Sequence, residues 1–169
     1  MKPYLLKENN WKSVKSINYN VAVLPWGATE AHNYHLPFGT DIYETEVIAE
    51  KSAEIAWDNG AKVIVLPIIP FGVNTQQLDI KMTINLNPST QFKILEDIIL
   101  SLERHNIQKF VILNGHGGND FKQLIRELQV KTKIFLSVVN WFAIEEANLF
   151  FEEGGDHANE METSLMMHS

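Results

Sequence analysis

Residues 21–41 read VAVLPWGATEAHNYHLPFGTD, and the order of residue types along this stretch decides the fold. Val21, Ala22, Val23 and Leu24 form a short apolar run closed by Pro25, the pattern of a buried strand. Pro25, Gly27, Pro37 and Gly39 then keep the chain out of a helix, so it leaves the strand as a loop. Within twelve residues that loop carries Glu30, His32, His35 and Asp41. A loop rich in His and carboxylate between regular elements is a metal-site pattern. The competing reading is a polar surface loop whose ionisable groups are solvated. From Asp41 the period becomes helical. Ile42, Ile48, Ala49, Ala53, Ile55 and Ala56 are apolar, Glu44, Glu46, Glu50, Lys51 and Glu54 are charged, and Gly60 is the stop.

The same alternation continues downstream. Residues 62–70 hold a second apolar strand, Val63 to Leu66, and residues 72–87 are polar and irregular, a substrate loop or hairpin. Asn87-Pro88 opens a helix whose apolar face is Phe92, Leu95, Ile98, Ile99 and Leu102. His105 in its last turn is a favourable charge at a helix C-terminus. A third strand, Phe110 to Leu113, runs into Asn114-Gly-His-Gly-Gly-Asn119, and a helix with Phe121, Leu124, Ile125 and Leu128 follows. The fourth strand is Ile134 to Val139. A Trp/Phe-rich connection and Gly154-Gly-Asp-His157 then lead into a last helix, Glu160 to Met167. Ahead of all this, residues 1–17 form a lead-in, with Trp11 and Val14 spaced to pack one helical turn onto the body.

Strands of four to six residues alternating with longer helices predict an α/β fold, three layers (α/β/α) around a mostly parallel sheet. Residues 1–169 are expected to form a single domain. In such folds ligands lie beyond the carboxyl ends of the strands. The Glu/His/Asp loop, the glycine-rich turn and the Trp141 connection each follow a strand, so all three fall on one rim.

Composition narrows the function classes. Hydrophobic residues make up 45% and charged residues 21%, a globular balance. No apolar run approaches the ~20 residues that span a bilayer. With no cysteine, disulfides and thiolate metal sites are excluded, any metal must sit on His, Asp and Glu, and the cytoplasm is the expected location. A net charge of −7 without a basic cluster argues against nucleic acid and anionic membranes as partners.

Glu30, His32, Asp41 and His116 supply anionic or lone-pair donors at neutral pH. An aspartate can bridge two cations, and water held there ionises near neutral pH and attacks a carbonyl that the same ions polarise. His116 stands among three glycines, where other side chains would crowd the backbone and block a substrate. Gly-His-Gly-Gly also reads as an anion-binding nest at a helix start, with His116 merely hydrogen-bonded.

Three segments together carry a family resemblance. Pro25-Trp-Gly-Ala-Thr-Glu-Ala-His32, with Leu36-Pro37 and Asp41, resembles the first motif of the creatininase (creatinine amidohydrolase) family. Asn114-Gly-His-Gly-Gly-Asn119 resembles its second, and Gly155-Asp-His-Ala-Asn-Glu-Met-Glu-Thr-Ser164 its third. The resemblance implies a creatininase-like α/β fold, a centre of two divalent ions (Zn, Mn or Fe), hydrolysis of non-peptide C–N bonds in small molecules, and a homo-oligomer, commonly a hexamer. Carried over by position, Glu30 and His116 would bind one ion and His32 the other, with Asp41 bridging. Creatininase proper has a carboxylate ligand where this chain has Gly118. Glu162 is the implied replacement, its other reading being a helix-surface glutamate. His157 would protonate the departing nitrogen, with Asp156 orienting it or a substrate donor; otherwise His157 is a helix-entry residue bonded to backbone.

Several positions depart from the family pattern or lie beside its motifs. Asn33 stands where the family has glycine, and residues 79–83 where many members carry a Phe-Pro-Gly-Thr turn. His35 is expected to orient a ligand, Trp141 to wall the substrate and Trp57 to sit in the core. The chain ends earlier than family members, which suggests C-terminal truncation. The expectation is a metal-dependent amidohydrolase acting on a cyclic amide or formamide. Its alternatives are a formylamino-pyrimidine deformylase of a pterin or flavin pathway, or a non-catalytic oligomeric subunit.

Overall fold

β1 (Val21–Trp26) lies between two parallel neighbours, β2 (Val63–Val65) and β3 (Lys109–Asn114), and β4 (Phe135–Asn140) pairs in parallel beyond β3. The sheet order is therefore β2-β1-β3-β4, with Val21 in register with both Val63 and Lys109. This is a computed structural model, and it describes residues 2–144, 149–152, 155 and 157–168.

Side-chain alternation along the strands sorts the helices into two layers. Ala22, Leu24, Trp26, Ile64, Phe110, Ile112 and Leu136 point to one face. There they meet α3 (Pro88–Glu103) through Leu95, Ile99 and Leu102, and α4 (Lys122–Gln129) through Leu128. Val63, Val65 and Leu113 point to the other face, against α2 (Thr40–Asp58) through Ala49 and Ala53 and α5 (Glu160–His168) through Met161. Small residues on α2 let that long helix lie close over the sheet. The three-layer parallel architecture expected from the strand–helix alternation is thus present.

Because β1 connects outward to β2 on one side and β3 connects onward to β4 on the other, the connections part between β1 and β3. Such a parting opens a crevice at the carboxyl ends of the strands. The Glu/His/Asp loop leaves β1 and the glycine turn leaves β3, so both border that crevice.

Some local expectations do not hold. Trp11, in the short α1 (Trp11–Val14), is 76% exposed and packs nothing onto the body. Tyr4 and Leu5 do this instead, buried against the α2 face, with Leu5 bridged to Val65. The residue spacing was compatible with either, since one helical turn is too short to define a face. Ile55 is likewise exposed, the outer side of α2. Residues 72–87 form no hairpin; they fold back over the Glu/His/Asp loop through single bridges, Thr29 to Ile84 and Gly72 to Asn85. No described helix is long and apolar enough to cross a membrane.

Candidate metal centre

Each of the four donor residues read from the first two motifs is buried in the crevice: Glu30, His32, Asp41 and His116 are all less than 5% exposed. The loop that carries three of them doubles back on itself. Leu36 N–H donates to the His32 carbonyl, Glu30 N–H to the Phe38 carbonyl and the Thr40 hydroxyl to the Pro37 carbonyl. Asn33 enters the left-handed region at φ 55, which Asn tolerates and which explains a glycine at this place in the family pattern. Gly27 lets the loop close onto α2, since a Cβ there would stand 3.0 Å from the Asp41 backbone.

Asp41 is the centre of the arrangement. Its Oδ1 lies 3.0 Å from His32 Nε2 and its Oδ2 3.1 Å from His116 Nδ1. His116 Nδ1 is also 2.9 Å from Glu30 Oε1, and His32 Nε2 is 3.6 Å from Glu162 Oε1. Two groups result, Glu30–Asp41–His116 and His32–Asp41–Glu162, each with donor atoms within 4.8 Å of one another and Asp41 common to both. Glu30, His32 and His157 form a third such group on the more open side.

The donors are aimed by their other contacts. His116 Nε2 bonds to the Val73 carbonyl at 2.9 Å, and His32 Nδ1 lies 3.3 Å from the Glu30 carbonyl. Both partners accept only, so those nitrogens carry a proton in either charge state, and the opposite nitrogens are the ones that offer lone pairs to a cation once deprotonated. Asn114, at the end of β3, receives His116 N–H on its Oδ1 and donates to the His116 carbonyl, pinning the turn. Glu162 makes a capping box with Asn159: its Oε2 accepts Asn159 N–H at 3.2 Å, which leaves Oε1 facing His32.

Two of the three glycines around His116 behave as expected. A Cβ on Gly115 would overlap the Thr45 hydroxyl, and one on Gly118 would overlap the Val73 carbonyl and the His116 ring. Gly117 differs, because a Cβ there meets open space. A carboxylate at position 118 therefore has no room in this chain.

Charge follows from this packing. Burial disfavours the cationic form of His32, but Asp41 and Glu162 outweigh it and lift the pKa to about 10. Burial is likewise outweighed at His116 by Asp41 and Glu30, again to about 10. Asp41 is held below its usual range, burial being overcome by the two histidines. Without a cation the two imidazolium groups stand in for one. His32 Nε2 and Asp41 Oδ2 nonetheless make no hydrogen bond, although charged partners are only 3.0 and 3.1 Å away. Donors that share a tetrahedral ion with ~2.0 Å bonds stand ~3.3 Å apart, close to these 3.0 and 3.1 Å separations. The residues fit a pair of divalent cations.

His157 lines the cavity, with Nε2 bonded to the Ala31 carbonyl at 2.7 Å and Nδ1 4.0 Å from Glu30 Oε1. Asp156 lies outside the described residues. His35 does not orient a donor: it is exposed and meets the Thr163 hydroxyl at 3.1 Å, tying the loop to α5. Trp141 does border the cavity, its Nε1 donating to the Thr45 hydroxyl, and Trp57 packs on Tyr4 and Tyr19. The cavity measures about 600 Å³.

Two residues at the centre escaped the sequence reading. Gln77 reaches in from the 72–87 segment and donates to Glu30 Oε2 at 2.7 Å. Glu44, one helical turn beyond Asp41, is 1% exposed and neither of its oxygens has a hydrogen-bond partner. Burial, then the charges of Glu162 and Asp41, raise its pKa to about 9. An i, i+3 spacing from Asp41 was the available signal, hidden among the other glutamates of α2.

The family model for creatinine amidohydrolase matches residues 7–169. The chain belongs to the creatininase family. A crystal structure from Bacteroides fragilis, provisionally named a creatinine amidohydrolase, is 40% identical, with a TM-score of 0.91 over 99% of this chain and 68% of that one. The creatinine amidohydrolase of Pseudomonas putida is 31% identical over 104 residues, 59% of this chain and 38% of its own length. A mycofactocin precursor peptide peptidase from Mycobacterium ulcerans is 26% identical over 159 residues, 86% of this chain and 57% of its own. The matches thus span 38% and 57% of these two curated relatives. Met82, within the 79–83 segment, has φ 71, a left-handed backbone carried by a bulky residue.

Proposed function

We propose that this chain is a metal-dependent amidohydrolase that cleaves a C–N bond of a small cyclic amide or formamide. One observation carries the reading: each oxygen of buried Asp41 faces a different histidine, at 3.0 and 3.1 Å, inside a walled cavity. Glu30, Asp41 and His116 would hold one divalent cation and His32, Asp41 and Glu162 the other. Zn, Mn and Fe all suit this oxygen and nitrogen set. Bound there, two such ions supply water activated near neutral pH and polarise a carbonyl.

The protein's own groups do the rest. Gln77 holds Glu30 Oε2, which keeps Oε1 turned to His116. Val73 and Glu30 carbonyls fix the two histidine tautomers. The Ala31 carbonyl occupies His157 Nε2–H, so Nδ1 is the nitrogen that gains a proton and delivers it to the departing amine. Asp156 would assist it. The cavity admits a small ring or formyl group between Trp141 and the Gly117–Gly118 backbone. Assembly as a homo-oligomer, implied by the family resemblance, belongs to the same proposal.

The test is metal content of the gently purified protein, followed by hydrolysis assays on creatinine, cyclic imides, formamides and short peptides. About two equivalents of metal per chain and amide cleavage abolished by Asp41→Asn support the proposal. A chain that takes up no divalent cation refutes it and leaves the non-catalytic subunit.

A further inference from the structure

Binuclear sites hold four positive charges, and buried charge must be matched by charge or hydrogen bonds. Glu30, Asp41 and Glu162 match three of them. A side chain on Gly118 would run into the Val73 carbonyl and the His116 ring, so position 118 adds no carboxylate beside Glu162 and one charge is left unmatched.

Glu44 stands where the missing charge is needed. It lies on α2 one turn from Asp41, is 1% exposed, and neither carboxyl oxygen meets a hydrogen-bond donor. Its electrostatic neighbours are Glu162, Asp41 and His32, the donors of the second group. No described lysine or arginine is among those neighbours. A buried carboxyl with two unsatisfied oxygens among other acids is costly unless something cationic enters. As the side chains stand, its oxygens fall outside the mutually close donor groups.

We propose that Glu44 is a fourth carboxylate of the centre, one that attracts and retains the cation held by His32, Asp41 and Glu162. It acts from the α2 side, directly or through one bound water. It adds a charge to the one that Glu162 supplies, and the second cation site becomes the one tuned by α2. This inference rests on the two-cation reading above.

Titration of the metal-free protein with Mn²⁺, followed by calorimetry and by the spin-coupled signal of a manganese pair, separates the two. In wild type two ions bind. In Glu44→Gln the affinity for the second falls by about tenfold or more, with the first nearly unchanged and the pair signal lost at equal Mn²⁺. If Glu44→Gln does not fold, Glu44→Met carries the same titration, since it replaces an unpartnered carboxyl by an apolar side chain of similar length. Two undiminished ions in a folded variant overturn the role of Glu44 while sparing the two-cation reading. Fewer than two ions in wild type overturn both.

Discussion

Loading the centre with metal should expel protons. In the metal-free protein His32 and His116 titrate at about 10, because Asp41, Glu30 and Glu162 stabilise their cations more than burial destabilises them. At an assay pH of about 7.5 both rings are then almost fully protonated, and a metal ligand must be neutral. Each cation displaces one imidazolium proton across about 2.5 pH units, a cost of about 3 kcal/mol or about 300-fold in apparent affinity per site. Apparent affinity should therefore climb about tenfold per pH unit per cation through the neutral range. Calorimetric titration in buffers of differing ionisation enthalpy counts the protons. The expected count is about two or more per pair of ions. In His116→Gln the count should drop by about one, with the first cation weakened. Release of less than about one proton per pair, or affinity independent of pH, would refute the charge state derived for these histidines.

The metal-free protein should lose stability as pH rises. The histidine contribution is whole below ~6.5, their unfolded value, and is lost as pH climbs through about 10. Glu44, raised to about 9, pulls the same way over its own window, whereas the lowered pKa of Asp41 removes stability only as the solution becomes acidic. Thermal melts in chelator should show Tm falling across the alkaline range; a rising Tm there would contradict the ion pairing around Asp41. Gly115→Ala should cost about 1–3 kcal/mol, since the added methyl overlaps Thr45, and Thr45→Ala in the same chain should restore part of it. Denaturant melts of the single and double variants check this, and a Gly115→Ala protein as stable as wild type would mean the turn lies elsewhere.

Much of the fold was legible because its signals are local. Val21–Leu24, Val63–Val65 and Phe110–Leu113 are continuous apolar runs bounded by Pro, Gly or Asn, and each is a parallel strand. The helix starting at Pro88 carries its own start signal, a proline whose missing N–H costs nothing there. The weaker local signals failed. One turn around Trp11 had too few residues to say which side was buried, and residues 72–87 carry no alternation from which to place single bridges.

Residue types in the centre were equally readable: Glu30, His32, Asp41 and His116 lie in loops after strands, and strand order brings such loops together. Partnership was not. Whether Glu162 faces His32 depends on how α5 lies on α2 and on the capping contact with Asn159, and His35 turned to Thr163 instead. Gln77 and Glu44 entered only through packing, one by a segment folding back and one by the rotation of α2.

The sequence by itself determined the alternation of strand and helix, the ligand-type residues and their place on one rim, because periodicity and turn chemistry act over a few neighbours. Tertiary structure alone decided which donor-type residues stand within reach of one another, which glycines are obligatory and which glutamate is stranded without a partner. Those are distances between residues far apart in the chain, and only the packed sheet and its helices set them.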